Sequence, residues 1–224
     1  MFSPKAIVFD LDGTLVDSVP DLAYSVDAML EQLGLPKRGE AAVRQWVGNG
    51  VQRLVERALT NNLDGIPDKA LFKEAMPIFT EIYAENNARR SRVYAGVEQA
   101  LQFVREAQLH CACVTNKAEQ FTVPLLKDLG LFHYFEIVIS GDSLPEKKPH
   151  PLPLLHIADH FGLLPKQCLM VGDSKSDVKA AREAGFNIVC TSYGYNHGED
   201  IRKYKPDAVV DSLAELKNLI RVSA

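Results

Sequence analysis

Asp10 and Asp12 stand two residues apart in DLDGT, directly after the apolar run KAIVF. A carboxylate held in place can attack a phosphate monoester and split a very slow hydrolysis into formation and cleavage of an acyl phosphate. A second carboxyl group beside it can protonate the leaving alkoxide and later accept a proton from water. Asp10 is placed for the first task and Asp12 for the second. The same two residues also read as turn-favouring aspartates ahead of Gly13 that cap the next helix, and their spacing alone leaves both readings open.

Three further segments widen the case. VGDSKSD again closes an apolar run and supplies Asp173 and Asp177 ahead of the helical stretch VKAAREAG. Several carboxylates facing a dianionic group repel it, so such a cluster calls for a hard divalent cation on oxygen ligands, and magnesium (Mg2+) fits. Thr115 and Asn116 close the run HCACVT, where their donors and a following helix N-terminus can grip phosphate oxygens. Lys148, in EKKPHP, can neutralise the nucleophile and the charge that builds on the equatorial phosphoryl oxygens. Each also has a bland reading, a helix cap for Asp173 to Ser176 and for Thr115 and Asn116, and a solvated loop lysine for Lys148. Joint occurrence after strand-like or loop segments that lead to one edge is a stronger signal than any member.

These residues need elements to position them. Short apolar runs read as buried parallel strands at Lys5 to Phe9, His110 to Thr115, Ile137 to Ser140, Cys168 to Gly172, Asn187 to Thr191 and Ala208 to Val210. Amphipathic helix-length segments lie among them, at Val97 to Gln108, Ala118 to Leu129, Pro151 to Phe161, Ser176 to Ala184 and Leu213 to Ile220. The alternation predicts an α/β fold, a doubly wound (Rossmann-like) parallel sheet formed by residues 1–15 and 90–224. Between Val16 and about Asn87 the apolar spacing is helical, with no convincing strand. Residues 16–89 are therefore expected to form an all-helical insertion that caps the carboxyl edge of the sheet. Trp46 and Tyr24 read as cap core.

Composition narrows the partners. With 224 residues, 46% hydrophobic and 24% charged, the chain has the makeup of a soluble globular protein. A net charge of −4 and no basic stretch with interleaved aromatics exclude a nucleic-acid surface. The apolar run in MFSPKAIVFDLDG is too short for a signal peptide or a membrane span, so a cytoplasmic protein without a membrane partner is expected. Cys111, Cys113, Cys168 and Cys190 lie in apolar runs and read as buried, reduced thiols. The six histidines are scattered through different segments and give a histidine-built metal site little support, so any metal should be oxygen-bound.

Taken together, DLDGTLVDS at Asp10 to Ser18, TN at Thr115 and Asn116, Lys148, and GDSKSD at Gly172 to Asp177 resemble the four motifs of the haloacid-dehalogenase-like (HAD) hydrolases. The resemblance spans essentially the whole chain. It implies Asp10 as nucleophile, Asp12 as acid and base, and Thr115 and Lys148 as stabilisers of phosphate and charge. It also implies magnesium on Asp10, the Asp12 backbone carbonyl and Asp173, with Asn116 and Asp177 as supporting neighbours. An aspartate two residues after the nucleophile resembles the family's phosphatases and phosphosugar mutases rather than its dehalogenases or pump ATPases.

The runs WVGNGVQRLVERAL and KKPHPLPLLH are similar to the phosphoglycolate phosphatase branch of that family. This implies 2-phosphoglycolate as substrate and a monomer or homodimer, and it admits chloride as an effector. Caps of this size also serve phosphatases of sugar phosphates, nucleotides or pyrophosphate. Within that branch Gly48, Asn49 and Gly50 precede an amphipathic helix, so their N–H groups, with Arg53, are candidates to receive the glycolate carboxylate. GNG equally reads as a tight turn between helices.

Overall fold

The computed structural model describes residues 1–222. The run after Lys5 forms β1 (Ala6–Phe9), buried at every position. The chain then turns through DLDGT into a two-residue strand, β2 (Val16–Asp17), and four helices, α1 (Val19–Gln32), α2 (Gly39–Trp46), α3 (Val51–Thr60) and α4 (Lys69–Asn86). It returns through β3 (Arg92–Val93), which pairs antiparallel with β2, Val16 opposite Val93 and Asp17 opposite Arg92. The outgoing and returning chain thus run side by side as a narrow ribbon.

Beyond β3 come α5 (Val97–Glu106), β4 (His110–Val114), α6 (Glu119–Asp128), β5 (Ile137–Ile139) and α7 (Leu152–His160). They are followed by β6 (Cys168–Gly172), α8 (Lys175–Ala184), β7 (Asn187–Thr191), β8 (Ala208–Val210) and α9 (Leu216–Leu219). With β1 these strands make a six-stranded parallel sheet of order β5-β4-β1-β6-β7-β8. The chain builds outward from β1 on one side, then crosses and builds outward on the other, which is the doubly wound arrangement. Successive residues of a strand point to opposite faces, so Ile7 and Phe9 pack with Val97, Leu101 and Leu125 on one side. Ala6 and Val8 pack with Leu154, Ile157 and Val178 on the other. Burial on both faces is why β1 reads as a continuous apolar run rather than an alternating one.

The four helices α1–α4 carry a core of their own, with Val26, Met29, Val43, Trp46, Phe79 and Tyr83 among its members. Asp68 starts α4 by accepting from the N–H groups of Ala70 and Leu71. Asp21, fully buried on α1, accepts from the backbone N–H groups of Arg90 and Ser91 and from the Ser91 hydroxyl. That carboxylate fastens the first helix to the returning chain.

Three expectations change. The stretch after Val16 is not free of strand, because β2 lies at its start; two residues are too few to show a period. Leu213 to Ile220 is a 3-10 turn (Leu213–Glu215) followed by the single turn of α9, since Ile220 leaves the helix to bridge with Phe2. Tyr24 is 44% exposed and lies under the Arg90 guanidinium, 3.8 Å from its carbon, while Trp46 is buried as expected.

Candidate active site

Phe9 is in register with Cys113 of β4 and with Val171 of β6. Asp10, Thr115 and Asp173 therefore emerge within the next two positions at one edge of the sheet, where the strand order reverses. Lys148 arrives from the loop between β5 and α7 and is buried. Its Nζ lies 2.8 Å from Asp10 Oδ1 and 2.7 Å from Asp177 Oδ1. Asp177 Oδ2 accepts from the Ser174 hydroxyl at 2.7 Å and from the N–H groups of Ser174 and Asp173 at 3.0 and 3.2 Å. Asp177 thus closes the capping box at the start of α8 with one oxygen and pairs with the other to Lys148, which also lies against Asp10.

Asp173 is gripped from two sides, by the Thr14 hydroxyl at 2.7 Å on Oδ1 and by the Tyr195 backbone N–H on Oδ2. Gly13 permits this approach, with a φ of +90° and no room for a side chain beside Asp173. Asn116 donates to the carbonyls of Lys148 at 2.9 Å and Gly48 at 3.2 Å, tying the Lys148 loop to the cap.

The charges do not balance. Carboxylate oxygens of Asp10, Asp173 and Asp177 lie within 4.8 Å of one another. Burial, opposed by Lys148 and reinforced by Asp177, lifts the pKa of Asp10 to about 7. Burial and the neighbouring Asp10 and Asp177 charges hold Asp173 well above the usual carboxylate range. Burial disfavours the Lys148 ammonium, yet its two carboxylate partners outweigh that and raise its pKa above the ordinary lysine value. One buried cation among three crowded carboxylates leaves excess negative charge, which a hard cation on oxygen ligands relieves.

A family profile described as haloacid dehalogenase-like hydrolase matches residues 4–185. The chain belongs to this family of hydrolases. Phosphoglycolate phosphatase of Nitrosococcus oceani is 60% identical over 221 residues, 99% of this chain and 98% of that protein. Phosphoglycolate phosphatase of Thiobacillus denitrificans is 49% identical over 94% of this chain and 93% of its own length. A crystal structure from Haemophilus somnus 129PT, described as a predicted phosphoglycolate phosphatase, superposes with a TM-score of 0.92 at 39% identity, covering 98% of this chain and 99% of that one.

In this HAD-like hydrolase a narrow cavity, about 40 Å3 of free volume, lies between the strand ends and the helical block, with room for only a few waters. Its floor includes Asp10, Asp12, Thr115 and Lys148, and its opposite wall is formed by Leu22, Val47, Val51 and Leu54. The GNG turn is divided. Gly48 and Gly50 line the cavity, whereas Asn49 accepts from the Arg57 guanidinium at 2.9 Å on its side-chain oxygen and from Lys147 at 3.3 Å on its carbonyl.

Arg53 is a correction. It pairs with Glu56 at 2.5 Å and donates to the carbonyls of Leu63 and Gly65 at 3.1 and 3.0 Å, outside the cavity. One residue along a helix turns the side chain by about 100°, so with Leu54 on the cavity wall Arg53 faces elsewhere.

Sequence reasoning passed over Lys117, whose buried ammonium lies 3.2 and 3.3 Å from the two Asp12 oxygens and bonds to the Tyr83 hydroxyl. It directly follows the TN pair in VTNK, and that adjacency was the available signal. Thr14 sits in DGT itself and could have been read with the aspartates. Tyr195 has no sequence signal; the fold alone carries its N–H to Asp173. Among the described residues no helix is long and apolar enough to cross a membrane.

Proposed function

We propose that this hydrolase releases phosphate from 2-phosphoglycolate, with Asp10 as nucleophile and Asp12 as general acid and base. The observation that carries the reading is the buried Asp10–Lys148–Asp177 chain, which faces a small cavity closed by the helical block. The relatives named phosphoglycolate phosphatase support the choice of ester. Residues 16–89 serve as the cap and residues 1–15 and 90–224 as the core, and the β2–β3 ribbon is the place where the cap can swing to admit substrate.

In the first step an Asp10 oxygen bonds to phosphorus as the ester bond breaks, and Asp12 gives its proton to the departing glycolate oxygen. In the second, Asp12 takes a proton from water while that water's oxygen bonds to phosphorus and the Asp10 acyl phosphate breaks. Lys148 offsets the charge on Asp10 and on the phosphoryl oxygens; the Thr115 hydroxyl and the Asn116 backbone N–H supply donors beside them, while the Asn116 amide group holds the Lys148 loop. The crowding that raises Asp10 and Asp173 fits a divalent cation. Asp10, the Asp12 backbone carbonyl and Asp173 would hold magnesium, with Asp177, whose oxygens are committed to Lys148 and the helix cap, as their support. When bound, it neutralises phosphoryl charge. The four cysteines are buried and free, in keeping with a reducing, cytoplasmic setting.

Phosphate release across a panel of phosphorylated acids, sugars, nucleotides and pyrophosphate, with and without magnesium, tests the reading. Preference for 2-phosphoglycolate and loss of turnover on chelation are expected. An isomerised sugar phosphate without released phosphate would show a mutase instead.

A further inference from the structure

We infer that Lys117 is the receptor for the carboxylate of the substrate, a short phosphorylated hydroxy acid, and that Tyr83 positions it. The inference rests on the preceding roles of Asp10 and Asp12 and asks what in this cavity can hold the second negative charge of such a molecule.

The cations are few. Of the residues that line the cavity only Lys117 and Lys148 are basic. Lys148 is already shared between Asp10 and Asp177, at 2.8 and 2.7 Å. The wall facing the floor is apolar at Leu22, Val47, Val51 and Leu54. A carboxylate pressed there without a partner would lose its hydration for nothing in return. Lys117 is buried, and an ammonium carries three N–H donors. Asp12 takes one direction and the Tyr83 hydroxyl a second. Apart from the two Asp12 oxygens, at 3.3 and 3.2 Å, and the Tyr83 hydroxyl, no acceptor among the described residues lies within hydrogen-bond distance of that nitrogen.

The position fits the length of the ligand. Asp12 must touch the bridging oxygen to protonate it, and Lys117 touches Asp12. In 2-phosphoglycolate the carboxylate carbon is two bonds from that oxygen, so it falls beside Lys117; an ester without a carboxylate leaves the donor unused. Tyr83 fixes the ammonium from behind. Its ring is fully buried, 5.5 Å from Phe79 and 4.8 Å from Phe121 between centroids, and 4.8 Å from the Lys117 nitrogen. Because Tyr83 belongs to α4 and Lys117 follows β4, the receptor is complete only when the helical block sits on the sheet edge. A site built around a charged partner discriminates strongly against analogues that lack it.

The test compares kcat/KM for 2-phosphoglycolate with that for ethyl phosphate, which keeps the two-carbon skeleton with a methyl group in place of the carboxylate. In the wild type the acid is preferred. Lys117→Met should lower that ratio about 30-fold, chiefly through the KM for 2-phosphoglycolate, with Lys117→Arg losing less and Tyr83→Phe lowering the ratio about threefold. Equal losses on both esters would overturn the proposal, because Lys117 would then serve only Asp12. A ratio that Lys117→Met leaves unchanged would overturn it as well.

Thermal unfolding of each variant is followed in parallel. If Lys117→Met does not fold, the Lys117→Arg and Tyr83→Phe ratios decide, and unchanged ratios in both overturn the proposal. Should the wild type instead prefer a longer phosphorylated acid such as 3-phosphoglycerate, with that preference lost in Lys117→Met, the substrate reading falls and the receptor stands.

Discussion

The two walls of the cavity follow different rules. On the core side Asp10, Asp173, Asp177 and Lys148 are buried and bound to one another or to backbone; Asp10 and Asp173 follow strand ends, Lys148 comes from the loop after β5, and Asp177 from the first turn of α8. On the cap side the wall is Leu22, Val47, Val51 and Leu54, and the polar contacts across to the core include Asn116 to Gly48 and Lys147 to Asn49. A nucleophile needs a floor held by hydrogen bonds and packing, since small misplacements cost large factors in rate. An apolar wall at the end of a two-strand ribbon can lift and settle again at little cost. On the proposed roles the chemistry rests on the core floor, the cap closes the cavity with an apolar wall, and the Lys117 receptor draws on both, so floor and wall should fail in separate ways.

The sharpest way to break that division is Asp10→Asn, which removes the attacking oxygen's charge and keeps its shape. Turnover should fall by at least about 10^4-fold while the thermal midpoint moves little. Phosphate-release kinetics with calorimetry would read both, and near-normal turnover would remove the proposed nucleophile. Lys148→Met comes next. It leaves Asp10 and Asp177 without their shared counter-ion, so about 10^3-fold in rate and about 3–5 kcal/mol of stability should be lost, the latter read by urea denaturation.

A smaller effect follows from Asp10 itself. Its pKa rises from 3.8 to about 7 on folding, so the folded metal-free protein keeps a proton that the unfolded chain releases. Stability of the metal-free protein should therefore fall as pH rises from about 4 to about 7. The stabilisation by magnesium should grow over the same window as the metal displaces that proton. Unfolding curves at pH 5 and pH 7.5, with and without magnesium, check the sign. The mildest change is on the cap wall: Val51→Ala should raise KM about threefold and leave kcat within about twofold. Equal losses in both constants would show that the wall takes part in the chemistry.

Much of this was legible in the chain. The run KAIVF and its partners read as buried strands because a strand covered on both faces is apolar throughout, and β6, β7 and β8 keep the bounds their residues imply. The helical spacing after Val16 likewise exposed α1–α4. What escaped is short or long-range. β2 and β3 are two residues each and carry no period. For Arg53 only Glu56, three residues on, was a visible partner; the Leu63 and Gly65 carbonyls that also hold it lie ten and twelve residues on, and a carbonyl has no letter in the sequence.

Sequence by itself determined the residue types at the strand ends and the alternation that sends those ends to one edge, because both are set by local propensity and periodicity. Tertiary structure alone decided that Lys148 would be buried between two carboxylates, that Arg53 would turn away, and that Lys117 would meet Asp12 under a tyrosine of the cap. The charge and hydrogen-bond partners of a lysine are set by what the fold brings beside it, and those partners lie 29, 34, 105 or more residues away along the chain.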